Sequence, residues 1–131
     1  MKCLIVDDDM IYRILLQEML CTSFECDLAE DGNEAISLFR TNLSNGQKYD
    51  LICMDVTMRG CNGHEALVGI RNIEKEYGVP ASKQSKIIMV SGLDDPKTVL
   101  DSYCKGVTSY IVKPVQKAKL IQVLKNINLA I

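Results

Sequence analysis

The sequence of 131 residues lacks any uninterrupted apolar stretch long enough to cross a bilayer. Asp7-Asp8-Asp9 interrupts the first apolar run, so the start of the chain does not resemble a signal peptide. Net charge is −2, from 15 Lys plus Arg against 17 Asp plus Glu, so no excess of positive charge points to nucleic acid. We therefore expect a cytoplasmic protein with no membrane insertion and no direct contact with nucleic acid.

The sequence has six cysteines but no C-x-x-C pair. Metal sites usually show paired spacings, and disulfide frameworks are typical of short secreted chains. We interpret the cysteines as small buried apolar residues in a reducing compartment. They are Cys3, Cys21, Cys26, Cys53, Cys61 and Cys104.

Apolar runs of strand length alternate with stretches of helical period along the whole chain. The pattern gives five βα units with no repeat, composition break or low-complexity segment, and it predicts one α/β domain over residues 1–131. Right-handed crossovers with helices on both faces predict a doubly wound, five-stranded parallel sheet. By analogy with flavodoxin-like folds we expect the strand order 2-1-3-4-5 and five helices.

Several local signals place these elements. We predict the first strand over about Lys2–Val6 and a helix with Asp9 as its N-cap. The third strand, Leu51–Met54, is apolar throughout, as expected at the centre of a sheet that is covered on both faces. Gly63 opens the third helix. One apolar stripe runs along the first helix, formed by Ile11, Ile14, Leu15 and Met19.

Polar residues follow four of the predicted strands at the point where each strand ends. Asp7 and Asp8 follow the first strand, Asp55 the third, Ser91 the fourth and Lys113 the fifth. The carboxyl ends of parallel strands lie along one edge of the sheet, so we expect these side chains to converge there. Three carboxylates, a hydroxyl and an ammonium suit a divalent cation and a phosphoryl group. The set predicts a phosphorylation site.

Carboxylates at close range repel one another unless a cation lies between them. Mg²⁺ is the cation that fits best, because it takes oxygen ligands and accepts phosphate oxygens. Asp7 and Asp8 form a pair suited to metal binding, whereas Asp55 on the central strand is the best candidate for the nucleophile that becomes an aspartyl phosphate.

With these residues in view, the chain resembles the receiver domain of two-component response regulators, in the small chemotaxis-type single-domain form. The likeness covers essentially the whole chain, and the order and spacing of its segments are specific. The segments are Leu4-Ile5-Val6-Asp7-Asp8-Asp9, Met54-Asp55-Val56-Thr57-Met58, Gly63, Val90-Ser91-Gly92 and Tyr110-Ile111-Val112-Lys113-Pro114.

The resemblance implies roles for individual residues at the metal and phosphate positions. Asp55 would be the phosphoacceptor and, with Asp8, a direct Mg²⁺ ligand. Asp7 would act on the metal largely through water, and the backbone carbonyl of Thr57 would complete the protein ligands. Lys113 would contact the phosphoryl group.

The resemblance also implies a conformational response. Ser91 would follow the phosphoryl group, and Tyr110 would act as the coupled aromatic switch. The peptide bond between Lys113 and Pro114 would be cis, although the sequence alone gives an X-Pro bond only about a 5–6% chance of that.

The function implied is that of a signalling protein rather than a conventional enzyme. Asp55 would accept a phosphoryl group from the phosphohistidine of a sensor histidine kinase or a phosphotransfer protein, with Mg²⁺ as cofactor. Self-catalysed hydrolysis would end the signal. A downstream protein target would read the phosphorylated surface through protein–protein contact.

Three other functions stay open at this point. The chain could be a phosphorelay intermediate or a receiver detached from a hybrid kinase. It could be a phosphohydrolase of the haloacid-dehalogenase type, since Asp7-Asp8-Asp9 contains D-x-D, but that leaves Asp55 without a role. A flavodoxin-like cofactor binder would need a Gly/Ser/Thr-rich phosphate loop after the first strand.

Two residues after Asp55 need separate comment. Arg59 stands where the family commonly has proline, and it adds a cation near the expected mouth of the site. His64 is the only histidine, and we interpret it as a helix cap or an exposed surface residue rather than a phosphotransfer or metal-binding group.

Overall fold

Five strands and five α-helices alternate along the chain in the computed structural model, which describes residues 1–129. Ala130 and Ile131, the last two residues of the predicted domain, lie outside the described residues. The strands are β1 Lys2–Val6, β2 Glu25–Ala29, β3 Leu51–Met54, β4 Lys86–Ser91 and β5 Ser109–Val112. The helices are α1 Met10–Leu20, α2 Gly32–Ser44, α3 Gly63–Glu76, α4 Pro96–Cys104 and α5 Lys117–Asn126.

The strands form one parallel sheet in the order β2-β1-β3-β4-β5, so the predicted fold class and strand order are confirmed. Alternate residues of each strand face opposite sides of the sheet. On β1, Leu4 and Val6 pack with α2 and α3 on one side. Cys3 and Ile5 pack with α1 and α5 on the other side. Both faces of the central strands are therefore covered.

The register of the sheet brings three strand ends to one edge. Val6 pairs with Met54, so Asp7 and Asp55 leave neighbouring strands at the same level. Backbone pairing continues one residue further, because the Asp55 N–H donates to the Val6 carbonyl at 3.0 Å. The Lys113 N–H likewise donates to the Ser91 carbonyl at 2.8 Å. The backbone therefore fixes where these polar side chains begin.

Helix α1 turns only one residue of its predicted stripe inward: Met19 packs against the core, and the other three are exposed. Its N-cap is Asp9 as expected, since the Asp9 Oδ1 accepts from the Ile11 N–H at 3.0 Å. However, Ile11 is 71% exposed, Ile14 and Leu15 are also exposed, and the helix buries Leu16 and Leu20 instead. The helix is apolar around most of its circumference, so its period alone could not identify the inner face.

The cysteines follow the sequence interpretation only in part. Cys3 and Cys53 are fully buried in their strands, as expected, but Cys21 and Cys104 are exposed and Cys26 and Cys61 are half-buried. All six are free thiols. Among residues 1–129, no helix combines the length and apolar character that a membrane span requires.

Gly63 starts α3 directly against the backbone that follows β3. A Cβ atom at this position would overlap the Asp55 carbonyl oxygen and lie 2.8 Å from the Val56 Cα. We expect Gly63→Ala to destabilise the fold by about 2 kcal/mol or more, because both neighbours are backbone atoms that must move. Urea unfolding measures this change. Gly92→Ala is the control, since a Cβ there meets no atom within 4 Å. Equal stability of the two variants would contradict the packing described.

Candidate functional site

Three carboxylates meet at the carboxyl edge of the sheet. Asp7 and Asp8 follow β1 and Asp55 follows β3, and one oxygen of each lies within 4.8 Å of the other two. Asp7 is 1% exposed and Asp55 is 8% exposed, whereas Asp8 reaches solvent. The convergence expected from the sequence is therefore present for all three acids.

Lys113 joins two of these carboxylates. Its Nζ lies 2.8 Å from the Asp7 Oδ2 and 3.0 Å from the Asp55 Oδ2, so it bridges the ends of β1 and β3 from the end of β5. Burial acts to lower the pKa of Lys113, but its hydrogen bonds to Asp7 and Asp55 outweigh burial and raise that pKa above the ordinary value. The next peptide bond, Lys113–Pro114, is cis, as the resemblance implied.

Asp7 lies in an unfavourable electrostatic position. Burial raises the pKa of its carboxyl, and the nearby Asp55 charge adds to that effect. The hydrogen bonds from Lys113 and from the Asp9 N–H act in the opposite direction without cancelling it. Removing a carboxylate from water favours its neutral form, and one ammonium shared between two carboxylates does not fully compensate.

The donor set fits a divalent cation. Three carboxylates face one ammonium, so the cluster keeps an excess of negative charge. Its ligand atoms are oxygens, which Mg²⁺ prefers, and the exposed Asp8 leaves one side open to water. The backbone of Thr57 is close by, since its N–H donates to the Asp55 Oδ1 at 3.2 Å.

Ser91 and Tyr110, the two residues expected to respond to phosphorylation, both bond to the loop after β4. The buried Ser91 Oγ accepts from the Leu93 N–H at 3.1 Å. The Tyr110 hydroxyl donates to the Leu93 carbonyl at 2.6 Å. Burial raises the pKa of this half-buried tyrosine. The structure thus connects both side chains through the backbone of one residue.

Two residues of α1 reach the site although the sequence reasoning missed them. The Lys113 Nζ lies 4.0 Å from the centroid of the Tyr12 ring. The Arg13 guanidinium donates to the Asp7 carbonyl at 2.6 Å. Both lie within the first turns after the Asp9 cap, so a search of the helix start for residues facing the acids could have found them.

A polar cavity of about 270 Å³ opens beside the carboxylates. Arg59 lies in its wall, which agrees with the cation expected at the mouth of the site. The acidic residues in the wall are Asp8, Glu30 and Asp31. Of these, only Asp8 was predicted from the sequence to be a site residue. The lining residues are Asp8, Arg13, Glu30, Asp31 and Arg59.

His64 has a different place from the one expected. The cap of α3 is Asn62, whose Oδ1 accepts from the Glu65 N–H at 2.9 Å. His64 is half-buried, and its Nε2 lies 2.7 Å from the Ser102 Oγ, so it connects α3 with α4. Burial, with the nearby Lys105 charge, lowers the pKa of this imidazole. The expectation of a cap or an exposed residue is therefore wrong.

Comparison with known proteins agrees with this geometry. The family described as "Response regulator receiver domain" matches residues 3–125. The chemotaxis protein CheY of Listeria monocytogenes is 32% identical over 127 residues, which cover 95% of this chain and 96% of that protein. CheY of Bacillus subtilis is 30% identical over 125 residues, with 94% and 93% covered.

Solved structures give the same result. The CheX–CheY–BeF₃–Mg²⁺ complex from Borrelia burgdorferi contains a chain that is 29% identical, with a TM-score of 0.83 and coverage of 96% of this chain and 87% of that one. The receiver domain of the Arabidopsis thaliana histidine kinase CKI1, complexed with Mg²⁺ and BeF₃⁻, is 28% identical with a TM-score of 0.82. The match covers 96% of this chain and 88% of the CKI1 chain.

The fold and the strand-edge site therefore define a two-component signalling module, and the chain belongs to the response regulator receiver domain family. Within that family it is a receiver of the CheY type. Phosphoacceptor signalling is the activity of this class. The recognition made from the strand-end motifs is confirmed.

The charge of Asp7 is buried, so a substitution that removes this charge should raise the free energy of unfolding. The size of that gain should depend on pH. Because the pKa of Asp7 is raised in the folded chain, its cost is absent below the ordinary carboxyl pKa and appears as the pH rises through the raised pKa. We expect Asp7→Asn to stabilise the Mg²⁺-free protein at pH 7, because it removes a charge that burial disfavours. The gain should shrink as the pH falls towards about 3.9.

Chemical denaturation at several pH values tests this expectation. Asp8→Asn is the matched control, because the exposed Asp8 carboxylate keeps its contact with water. A gain for Asp7→Asn that grows on acidification, or a larger gain for Asp8→Asn, would contradict the electrostatic description.

Proposed function

We propose that this chain accepts a phosphoryl group on Asp55 and signals through the resulting change in its surface. The observation that carries the proposal is the Lys113 ammonium, which bonds to Asp55 and Asp7 at the edge where Asp8 also lies. An ammonium beside Asp55 can neutralise a phosphoryl oxygen, and the neighbouring acids can hold the cation that a transferring phosphoryl group requires.

The transfer follows from the positions of these groups. One carboxylate oxygen of Asp55 attacks phosphorus, an O–P bond forms, and the bond from phosphorus to the donor breaks. With a phosphohistidine donor the electron pair leaves with the imidazole nitrogen, and with acetyl phosphate it leaves with acetate. Lys113 neutralises one phosphoryl oxygen, and positioning with charge neutralisation supplies most of the catalysis. Water reverses the modification by hydrolysis of the acyl phosphate.

Asp7, Asp8, Asp55 and the Thr57 carbonyl would hold Mg²⁺. When bound, this ion neutralises charge on the acids and on the phosphoryl oxygens. The arrangement of the acids supports the assignment: burial raises the pKa of Asp7, the nearby Asp55 charge adds to that effect, and a cation among the acids would offset both. The magnesium complexes of the Borrelia and Arabidopsis receivers support it by similarity.

Ser91 and Tyr110 would convert the modification into a change of shape. The side chains of both residues are hydrogen-bonded to the backbone of Leu93. If the Ser91 hydroxyl turns to a phosphoryl oxygen, the loop loses one of these bonds, and the Tyr110 ring gains room to pack inward. Phosphorylation then shifts an equilibrium between two arrangements of β4, α4 and β5.

The donor would be a histidine kinase or a phosphotransfer protein in the cytoplasm. Helix α1 exposes Met10, Ile11, Ile14 and Leu15 beside the carboxylates. An exposed apolar face of this kind fits a protein partner.

The output partner would be a protein that binds α4 and β5, where Leu100, Tyr103 and Val112 are exposed. The chain also matches a segment that makes up 7% of hybrid signal transduction histidine kinase L of Dictyostelium discoideum.

A phosphorelay intermediate would use the same chemistry with other partners. A haloacid-dehalogenase-like hydrolase is disfavoured, because it would leave Asp55 without a role although Asp55 bonds to Lys113 within the site. The boundaries 1–131 of the proposed domain extend slightly beyond the matched residues 3–125.

The test is intact-mass analysis after incubation with acetyl phosphate and Mg²⁺. We expect the wild-type chain to gain the mass of one phosphoryl group and Asp55→Asn to gain none. Removal of Mg²⁺ by EDTA should suppress the gain at least tenfold, because the acids would then repel the incoming phosphate without a metal to offset their charge. Asp50→Asn, an acid at the opposite edge of the sheet, is the control and should be modified like the wild type. Labelling that survives in Asp55→Asn but disappears in Asp7→Asn would favour the hydrolase instead.

A further inference from the structure

Lys113 has a third contact that the phosphorylation chemistry leaves unexplained. An ammonium has three N–H donors. Two of them are occupied by Asp7 and Asp55, at 2.8 and 3.0 Å. On the remaining side the Nζ lies 4.0 Å from the centroid of the Tyr12 ring, within the range of a cation–π contact.

We infer that Tyr12 is a positioning residue whose ring face holds the Lys113 ammonium between Asp7 and Asp55 before a phosphoryl group arrives. The inference rests on the proposed function and adds a group to the site from α1. Its effect is on the rate of phosphoryl transfer, through Lys113, rather than on metal binding.

The backbone around the site fixes where the ring lies. The Asp7 Oδ1 accepts from the Asp9 N–H at 2.8 Å, and Asp9 in turn caps α1 through the Ile11 N–H. One turn further along, Arg13 donates to the Asp7 carbonyl at 2.6 Å. Tyr12 lies between these two attachments and packs, half-buried, against the apolar cluster under α1. The attachments fix where the Tyr12 backbone lies, and packing against the apolar cluster helps to hold its ring beside Lys113.

An aromatic ring suits this position better than an acid or a hydroxyl. Lys113 must exchange its bond with Asp55 for a bond with a phosphoryl oxygen. A third carboxylate would compete for the same ammonium and add negative charge that repels the phosphate. The ring attracts the cation without offering such a charge, and it excludes water from one side of the ammonium.

The inference predicts a difference between two substitutions of one residue. Tyr12→Phe keeps the ring face and removes only the hydroxyl, so its rate of phosphorylation by acetyl phosphate at saturating Mg²⁺ should stay within twofold of the wild type. Tyr12→Leu keeps an apolar side chain without the ring, and its rate should fall about three- to tenfold. Tyr12→Met is a second ring-free variant with a flexible side chain, available if leucine impairs folding.

Tyr77→Leu is the control for losing a tyrosine, since Tyr77 follows the end of α3 farthest from the site. Circular dichroism verifies that each variant is folded. The Mg²⁺ concentration for half-maximal rate should be the same in all variants, because Tyr12 touches no carboxylate in the proposed role. Equal rates for wild type and both ring-free variants would overturn the inference, as would an equal loss in Tyr12→Phe.

A nuclear magnetic resonance measurement separates this inference from the proposed function. Protons at the end of the Lys113 side chain lie over the ring face, so the ring current should shift their resonances upfield. The shift should persist in Tyr12→Phe and vanish in Tyr12→Leu. A wild-type chain that takes no phosphate rejects the proposed function even when the shift is present. Absence of the shift in a chain that is phosphorylated rejects only the role of Tyr12.

Discussion

The structure of the site depends on one ammonium held between two buried carboxylates. Lys113 comes from the end of β5, yet its Nζ bonds to Asp7 after β1 and to Asp55 after β3. Two carboxylates this close and this buried would otherwise favour proton uptake or separation. The shared ammonium makes their proximity tolerable, and the remaining excess of negative charge prepares the cluster for a divalent cation. Burial raises the pKa of Asp7 at this edge, so we expect its charge to lower the stability of the metal-free fold near neutral pH.

The rest of the fold brings that ammonium and those acids to one place. Backbone pairing continues past β3 into Asp55 and past β5 into Lys113, so strand register decides where both side chains start. Gly63 allows the start of α3 to lie against the carbonyl of Asp55. On the other side of the edge, Leu93 accepts from Tyr110 and donates to Ser91. Asp55, the proposed phosphoacceptor, is thus fixed by backbone pairing and by the start of α3, whereas Ser91 and Tyr110 are connected through one loop residue.

The sequence predicted the parts of this structure that depend on strand pattern. Fully apolar runs such as Leu51–Met54 indicated central strands, and sheet topology then placed Asp7, Asp55 and Lys113 together. The inner face of α1 was mispredicted because that helix is apolar on nearly every side, so Ile11 could not be distinguished from Leu16. The position of Tyr12 after the Asp9 cap could have placed it near the acids, but no local pattern identifies Lys113 as the residue that its ring contacts.

Chemical trapping of the acyl phosphate would show directly whether Asp55 accepts the phosphoryl group, as we propose. Sodium borohydride reduces an aspartyl phosphate to homoserine, with hydride supplied by the reagent and phosphate released. After treatment of the phosphorylated chain, fragment-ion mass spectrometry should find homoserine at position 55 and at no other acid. Homoserine at Asp7 or Asp8, or a phosphate adduct that yields no homoserine, would contradict the account.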